Sequence, residues 1–308
     1  MLWNTIIGQT HAVEILKQSI QAGRIPSAYL FFGPDGVGKG TTANVVAKTL
    51  NCPYQGCDIC RVCVRINENN YPDIRTIVAD GKFIKIGQIR EINKDVSLSI
   101  FEAQYRVYIL KNVEKMNIEA ANAFLKILEE PPGKTLFILT TNAIDSLLST
   151  IVSRCQLIRF NLLLPQDGEK ILLKKGINQR EASLLTGISA GRPGKAIEYK
   201  EKGVEKQIAM VQEYLNEIFG GKNELKVFEF AEEAKAYSDD IEVILDIIIL
   251  MIPNFFSSKA KIQAITEVIK TKDRLARNIN LSLGLEAMFF NLLSIRAGGR
   301  SEGYKIRK

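Results

Sequence analysis

Five short apolar runs punctuate the first half of the chain: "AYLFF" at 28–32, "IRTIV" at 74–78, "RVYIL" at 106–110, "TLFILT" at 135–140 and "QLIRF" at 156–160. Runs of this length, rich in branched and aromatic side chains, predict strands buried on both faces. Helical patterns separate them, so the alternation predicts an α/β unit: a parallel sheet with helices on each side, an architecture common among nucleotide-binding proteins. The clearest helix is "NIEAANAFLKILEEPP". Asn117 is placed to cap it, Glu119 suits its positive end, and Pro131 with Pro132 stop it. Ile118, Ala121, Leu125 and Leu128 fall on one stripe, with Phe124 beside it.

After Phe160 the strand pattern stops. "LLLPQDGEKILLKKGINQREASLLTGISAGRPGKAIEYK" predicts a small helical unit, and from about 205 to 295 the periodicity is helical again. The run "VILDIIILMIP" at 243–253 contains Asp246 and ends at Pro253. It falls short of the roughly 20 apolar residues that span a bilayer and predicts a buried helix. The tail "RAGGRSEGYKIRK" is basic, rich in glycine and expected to fray.

A chain of 308 residues with 46% apolar and 24% charged residues has ordinary globular composition. Its net charge of +7 permits a nucleic-acid or acidic partner, but the basic residues are scattered and select neither. The N-terminal stretch lacks the pattern of a secretion signal, so a cytoplasmic location without membrane contact is expected. His11 is the single histidine, which gives histidine-based acid–base or metal chemistry little support.

Four of the five cysteines crowd into "NCPYQGCDICRVC": Cys52, Cys57, Cys60 and Cys63. Four thiolates this close along the chain can close a tetrahedral shell around a structural zinc, leaving no position open for water. An iron–sulfur cluster is the rival occupant. Elemental analysis separates them, zinc giving one colourless ion per chain. Cys155, remote from the cluster, is expected to be a small buried apolar residue.

"GPDGVGKGT" has the spacing of a phosphate-binding loop between a strand and a helix, with Gly33, Gly36, Gly38, Lys39 and Thr41 as its binding residues. The hydroxyl that normally follows the lysine and binds magnesium is replaced by Gly40, and Thr41 comes one residue late. The strand "RVYIL" runs into Lys111 and Asn112, where a metal-holding carboxylate is required. Two departures at one metal argue for loss of hydrolysis, because each removes a group that offsets phosphate charge. Either ATP or ADP still binds without turnover, or the glycines now serve only the turn. The loop also resembles that of adenylate kinase, but no arginine-rich lid pattern accompanies it.

In their order and spacing, "IIGQ", "AYLFFGPDGVGKG", the four-cysteine insert, "AFLKILEEPP", "LFILTTN" and "TIVSRCQ" resemble the delta-prime family of bacterial DNA polymerase III clamp-loader subunits, in the AAA+ superfamily. The resemblance implies an AAA+ P-loop module over 1–162 carrying the zinc-binding insert 52–63, a helical lid over 163–205, and an all-α collar over 206–308. It implies a hetero-pentamer with gamma/tau and delta subunits, acting on the sliding clamp and primed DNA. Arg154 of "SRC" would be a trans-acting arginine finger for a neighbour's ATP, and this chain a stationary subunit of the holoenzyme without ATPase or polymerase activity of its own. Thr140, Thr141 and Asn142 would fall at the phosphate-sensor position, and Gly194 where active relatives keep a second sensing arginine. Glu129 and Glu130 are expected to be polar residues at a helix end. The alternatives are an active gamma/tau-type ATPase, which Lys111 and Asn112 oppose, and a zinc-bearing DNA-binding module, which predicts salt-sensitive DNA affinity.

Overall fold

The computed structural model describes residues 2–221, 223–275 and 279–298. The basic tail from residue 299 onward lies outside the described residues. The chain divides into two compact units, the described residues of Met1–Ala182 with Gly191–Lys195, and those of Ser183–Ala190 with Ala196–Lys308.

The first unit is built on strands β1 (Ala28–Phe32), β2 (Ile74–Ile77), β3 (Arg106–Leu110), β4 (Thr135–Thr141) and β5 (Gln156–Arg159), all at the predicted runs. They form one parallel sheet in the order β2-β3-β4-β1-β5. Its helices are α1 (Thr10–Gln21), α2 (Lys39–Asn51), α3 (Arg61–Asn67), α4 (Ile86–Val96), α5 (Ile118–Glu129), the single turn α6 (Ser149–Val152) and α7 (Pro165–Lys174).

Alternation along each central strand sends side chains to two cores. Tyr29, Phe31, Val107, Ile109, Leu136 and Ile138 pack with Leu16 of α1 and Val46 of α2. Leu30, Tyr108, Leu110, Phe137 and Leu139 pack with Ile89 and Ile92 of α4 and Phe124 and Leu128 of α5. The near-continuous apolar character of these strands follows from burial on both faces.

Helix α5 starts as expected: the Asn117 side chain accepts from the Ala120 backbone N–H at 2.9 Å. Its buried face differs from the predicted stripe. Ala120, Ala121, Phe124, Ile127 and Leu128 are buried, Leu125 is half-buried, and Ile118 in the first turn is 74% exposed. Phe124, with its larger ring, sets the centre of the face and rotates Ile118 off it.

The second unit is helical among its described residues. It takes the C-terminal parts of α8 (Gln179–Ser189) and α9 (Pro193–Lys202), and all of α10 (Glu205–Leu215), α11 (Lys226–Glu233), α12 (Ile241–Met251), α13 (Ser258–Leu275) and α14 (Leu281–Arg296). Phe219, Phe230 and Phe289 form its aromatic centre. The run at 243–253 is a buried helix, as expected, and its Asp246 accepts from the Tyr199 hydroxyl at 2.8 Å and from Lys272 Nζ at 2.7 Å. That pairing is what makes a buried carboxylate tolerable there. No described helix is long and apolar enough to cross a membrane.

Candidate functional site

The ends of β1, β3 and β4 bring the phosphate loop, Lys111 and Thr140 to one edge of the sheet, the place where parallel α/β sheets bind ligands. The loop's glycines occupy left-handed or strained backbone: Gly33 has φ +140°, Gly36 φ +76° and Gly38 φ +101°. A methyl at Gly33 would lie 2.1 Å from the Phe160 carbonyl oxygen, so this glycine is required by the close passage of the chain after β5. Gln9 of "IIGQ" is buried and ties the same corner together, donating to Asn161 O at 2.7 Å and Val37 O at 3.3 Å while accepting from the Asn161 N–H at 3.1 Å.

Lys39 is buried and folds back on its own loop, Nζ donating to Gly33 O and Pro34 O at 2.6 Å each. Burial lowers its pKa, with Asp35 and Glu114 pulling the other way. Beside it, Gly40 faces Lys111: a methyl at 40 would stand 3.6 Å from Lys111 Cε and 3.9 Å from its Nζ. The ammonium of Lys111 therefore lies against the helix turn from which a magnesium-binding hydroxyl would project. Thr41 is exposed on α2, whereas the hydroxyl of buried Thr42 donates to Gly38 O at 3.0 Å.

Asn112 takes a left-handed conformation with φ +56°, and its N–H donates to Thr140 Oγ1 at 3.1 Å. Thr140 and Thr141 are buried, and Thr141 Oγ1 accepts from the Ala143 N–H, so both hydroxyls serve the turns at this sheet edge. Gly194 sits on the loop itself. Its N–H donates to Gly36 O at 2.8 Å, and a methyl on it would lie 2.8 Å from Gly36 Cα. No larger side chain fits at 194 without moving the loop.

The four cysteines gather at the other end of α2. Their Sγ atoms all lie within 4.8 Å of one another, with Cys52 at 3.7 Å from Cys57 and 3.6 Å from Cys60. Four Zn–S bonds of about 2.3 Å make a tetrahedron whose edges are about 3.8 Å, so these thiols fit one ion. Backbone N–H groups of Tyr54 and Cys60 point at Cys52 Sγ and Cys57 Sγ, each at 3.3 Å. Burial raises the Cys52 thiol pKa, but N–H groups of Tyr54, Gly56 and Cys57 and the Cys60 thiol outweigh it and lower the value to about 6. Burial pushes Cys63 up to about 12, with the Cys52 and Cys60 thiols adding to it against N–H groups of Asp58 and Cys57. A dication among these groups would favour all four thiolates.

Arg154 follows α6. Its Nη1 donates to Thr150 O at 3.0 Å and its Nη2 pairs with Glu129 Oε1 at 2.6 Å. Glu129 and Glu130 are exposed at the end of α5, as expected. Cys155 is half-buried against the α4–α5 core, and burial pushes its thiol to about 12, in keeping with an apolar role. Four features escaped the sequence: at the loop, the Lys39 fold-back, the Gln9 staple and the Gly36–Gly194 contact, and at the end of α5 the Arg154–Glu129 pair. Each joins residues whose proximity only the fold creates, apart from Lys39, whose loop contacts depend on a backbone path that spacing does not specify.

Residues 8–163 match the profile of the family described as DNA polymerase III, delta subunit. The delta' subunit of DNA polymerase III from Bacillus subtilis is 36% identical over 184 residues, 59% of this chain and 56% of that protein. The gamma subunit from Buchnera aphidicola of Acyrthosiphon pisum is 33% identical over 187 residues, 58% of this chain and 52% of that one. The chain thus spans a little over half the length of these curated relatives. A gamma subunit-related protein of DNA polymerase III from Thermotoga maritima superposes over 93% of this chain and 99% of its own, with a TM-score of 0.50 and 21% identity, a likeness of fold alone. The phosphate-loop α/β module, followed by helical structure, is the AAA+ arrangement. With half of the chain matched by one profile, the protein belongs to the DNA polymerase III delta-subunit family, among the AAA+ clamp-loader subunits.

Proposed function

We propose that this protein is the delta-prime subunit of a bacterial clamp loader, a stationary member that holds an outline of an ATP site and lends Arg154 to the ATP site of a neighbour. The observation that carries the reading is the approach of Lys111 to Gly40, which brings a lysine side chain beside the turn where an active site would hold magnesium. Magnesium and an ammonium compete for the same phosphate oxygens, and only the metal supplies the charge and ligand geometry that in-line attack uses. Gly194 supports the same conclusion, since its contact with Gly36 leaves no room for a sensing arginine at that position.

Arg154 is chemically suited to act in trans. Its planar, permanently charged fork can meet charge developing on a transferring phosphoryl group, and fingers of this kind supply about 10³–10⁵ in rate in the most effective GTPases. The four cysteines would hold a structural zinc, one per chain. Residues 163–205 would act as a helical lid and 206–308 as the collar through which gamma/tau and delta subunits assemble, in the cytoplasm, to place the sliding clamp on primed DNA.

The purified chain alone is expected to hydrolyse no ATP above background, while Arg154→Ala in the reconstituted loader slows turnover by about tenfold or more. Robust turnover by the chain alone would favour a gamma/tau-type ATPase. Likeness to the Buchnera gamma subunit is the observation that keeps this second reading in play.

A further inference from the structure

Arg154 leaves α6 through one residue and has a long side chain to hold in place. Two contacts hold it, one at each terminal nitrogen: the Thr150 carbonyl on Nη1 and the Glu129 carboxylate on Nη2. These come from different elements. Thr150 belongs to the same short turn as the arginine, so its carbonyl moves with it. Glu129 is the last residue of α5, which is capped by Asn117 and anchored in the core by Phe124 and Leu128. The carboxylate is thus the contact that refers the guanidinium to the rigid body of the domain.

We infer that Glu129 is a positioning residue for Arg154, fixing the fork in the direction in which it meets a neighbouring nucleotide; this rests on the finger reading above. A guanidinium has five N–H donors, and the two contacts use one each on Nη1 and Nη2. Nε–H and one hydrogen on each terminal nitrogen remain to meet phosphoryl oxygens. The carboxylate therefore need not leave for the finger to act. Both side chains are partly exposed, 36% for Arg154 and 53% for Glu129, which leaves the pair reachable by an adjoining subunit.

A pair this exposed has a modest effect. Ordering of the fork corresponds to about a two- to fivefold change in rate. The test uses the loader assembled from this chain with its gamma/tau and delta subunits, and measures steady-state ATP turnover for Glu129→Ala, Glu129→Gln, Arg154→Ala and the Glu129→Ala/Arg154→Ala pair, with assembly checked by size exclusion. Glu129→Ala is expected to lower kcat two- to fivefold at unchanged KM. Glu129→Gln, which keeps an acceptor oxygen at the same place, is expected to recover most of that loss. In the Arg154→Ala background, removal of the carboxylate is expected to change nothing further.

A kcat for Glu129→Ala equal to or above the parent, or the same loss with Arg154 already gone, overturns the inference while a slow Arg154→Ala loader leaves the finger in place. Parental turnover by Arg154→Ala overturns the finger reading and the inference with it.

Discussion

Helix α2 has a candidate site at each end, and the two differ in what their residues can bind. At its N-terminus the phosphate loop keeps its glycines and lysine, but a glycine at 40 and the ammonium of Lys111 stand where magnesium ligands belong. At its C-terminus the four cysteines form a complete set of ligands spaced for one tetrahedral ion. The difference teaches that backbone geometry and ligand chemistry are set by different residues. A turn is held by packing around it, whereas a metal site is lost when one or two donors change.

The comparison can be broken most forcefully at the cysteines. Cys60→Ser, or stripping by a strong chelator, is expected to remove the zinc proposed for this cluster and with it hydrogen-exchange protection across 52–67. The loss should amount to several kcal/mol, below the ~10–16 kcal/mol of zinc-finger peptides, because the sheet core does not depend on the ion. Trp3, the single tryptophan, is a built-in reporter: Gly56 of the insert packs on the adjacent Leu2, so its emission should shift as the ion leaves. A protein that purifies with no zinc and full protection would erase the contrast between the two ends.

At the other end, Gly33→Ala tests whether packing holds the loop. The added methyl meets the Phe160 carbonyl at 2.1 Å in backbone with φ +140°. Strain and overpacking of ~1–3 kcal/mol each predict a loss of about 2–6 kcal/mol in denaturant unfolding. An unchanged midpoint would show that the corner after β5 yields easily and that packing does not account for this glycine.

Much of this was legible in the sequence because the signals are local. Strands β1 to β5 announce themselves as buried apolar runs, and the cysteines lie within twelve positions of one another, so their spacing alone brings the thiols together. The juxtaposition of Gly40 and Lys111 was also foreshadowed, since motif spacing marks these as positions where metal ligands would be expected. What stayed hidden depends on distant strands. Gly194 reaches Gly36, and Arg154 reaches Glu129, only because the sheet and its helices fold them together. The stripe on α5 misplaced Ile118 for a related reason: a periodic pattern gives a face, but the neighbours decide how that face is turned.

Asp73, at the start of β2, supplies an acid-sensitive control lying outside both sites. It is buried and lies 3.6 Å from Arg106 Nη2. Burial raises its pKa, but three backbone N–H bonds from Phe101, Glu102 and Ala103, with Arg106, outweigh it and hold the carboxyl below its ordinary value. A lowered folded-state pKa means its contribution is complete above about pH 4 and is lost as pH falls through the folded value. Zinc should leave earlier on acidification, because protons compete for thiolates. Asp73→Asn is expected to cost about 1–3 kcal/mol at neutral pH and to abolish the later acid step while sparing zinc release. One merged step, lost entirely on chelation, would tie the sheet edge to the metal.

The smallest effect belongs to Gly38→Ala, and it separates two reasons for a glycine. At Gly33 the backbone is unusual and a neighbour blocks any side chain. At Gly38 the backbone is equally unusual, with φ +101°, but nothing lies within 4 Å of an added methyl. Only conformational strain then opposes the substitution, about 1–2 kcal/mol against the larger loss at Gly33. If both substitutions cost the same, the Phe160 carbonyl contributes nothing and the loop persists through backbone preference alone. If Gly38→Ala costs clearly less, the loop is held from outside by β5 and the chain after it, so that its shape depends on packing rather than on any bound phosphate.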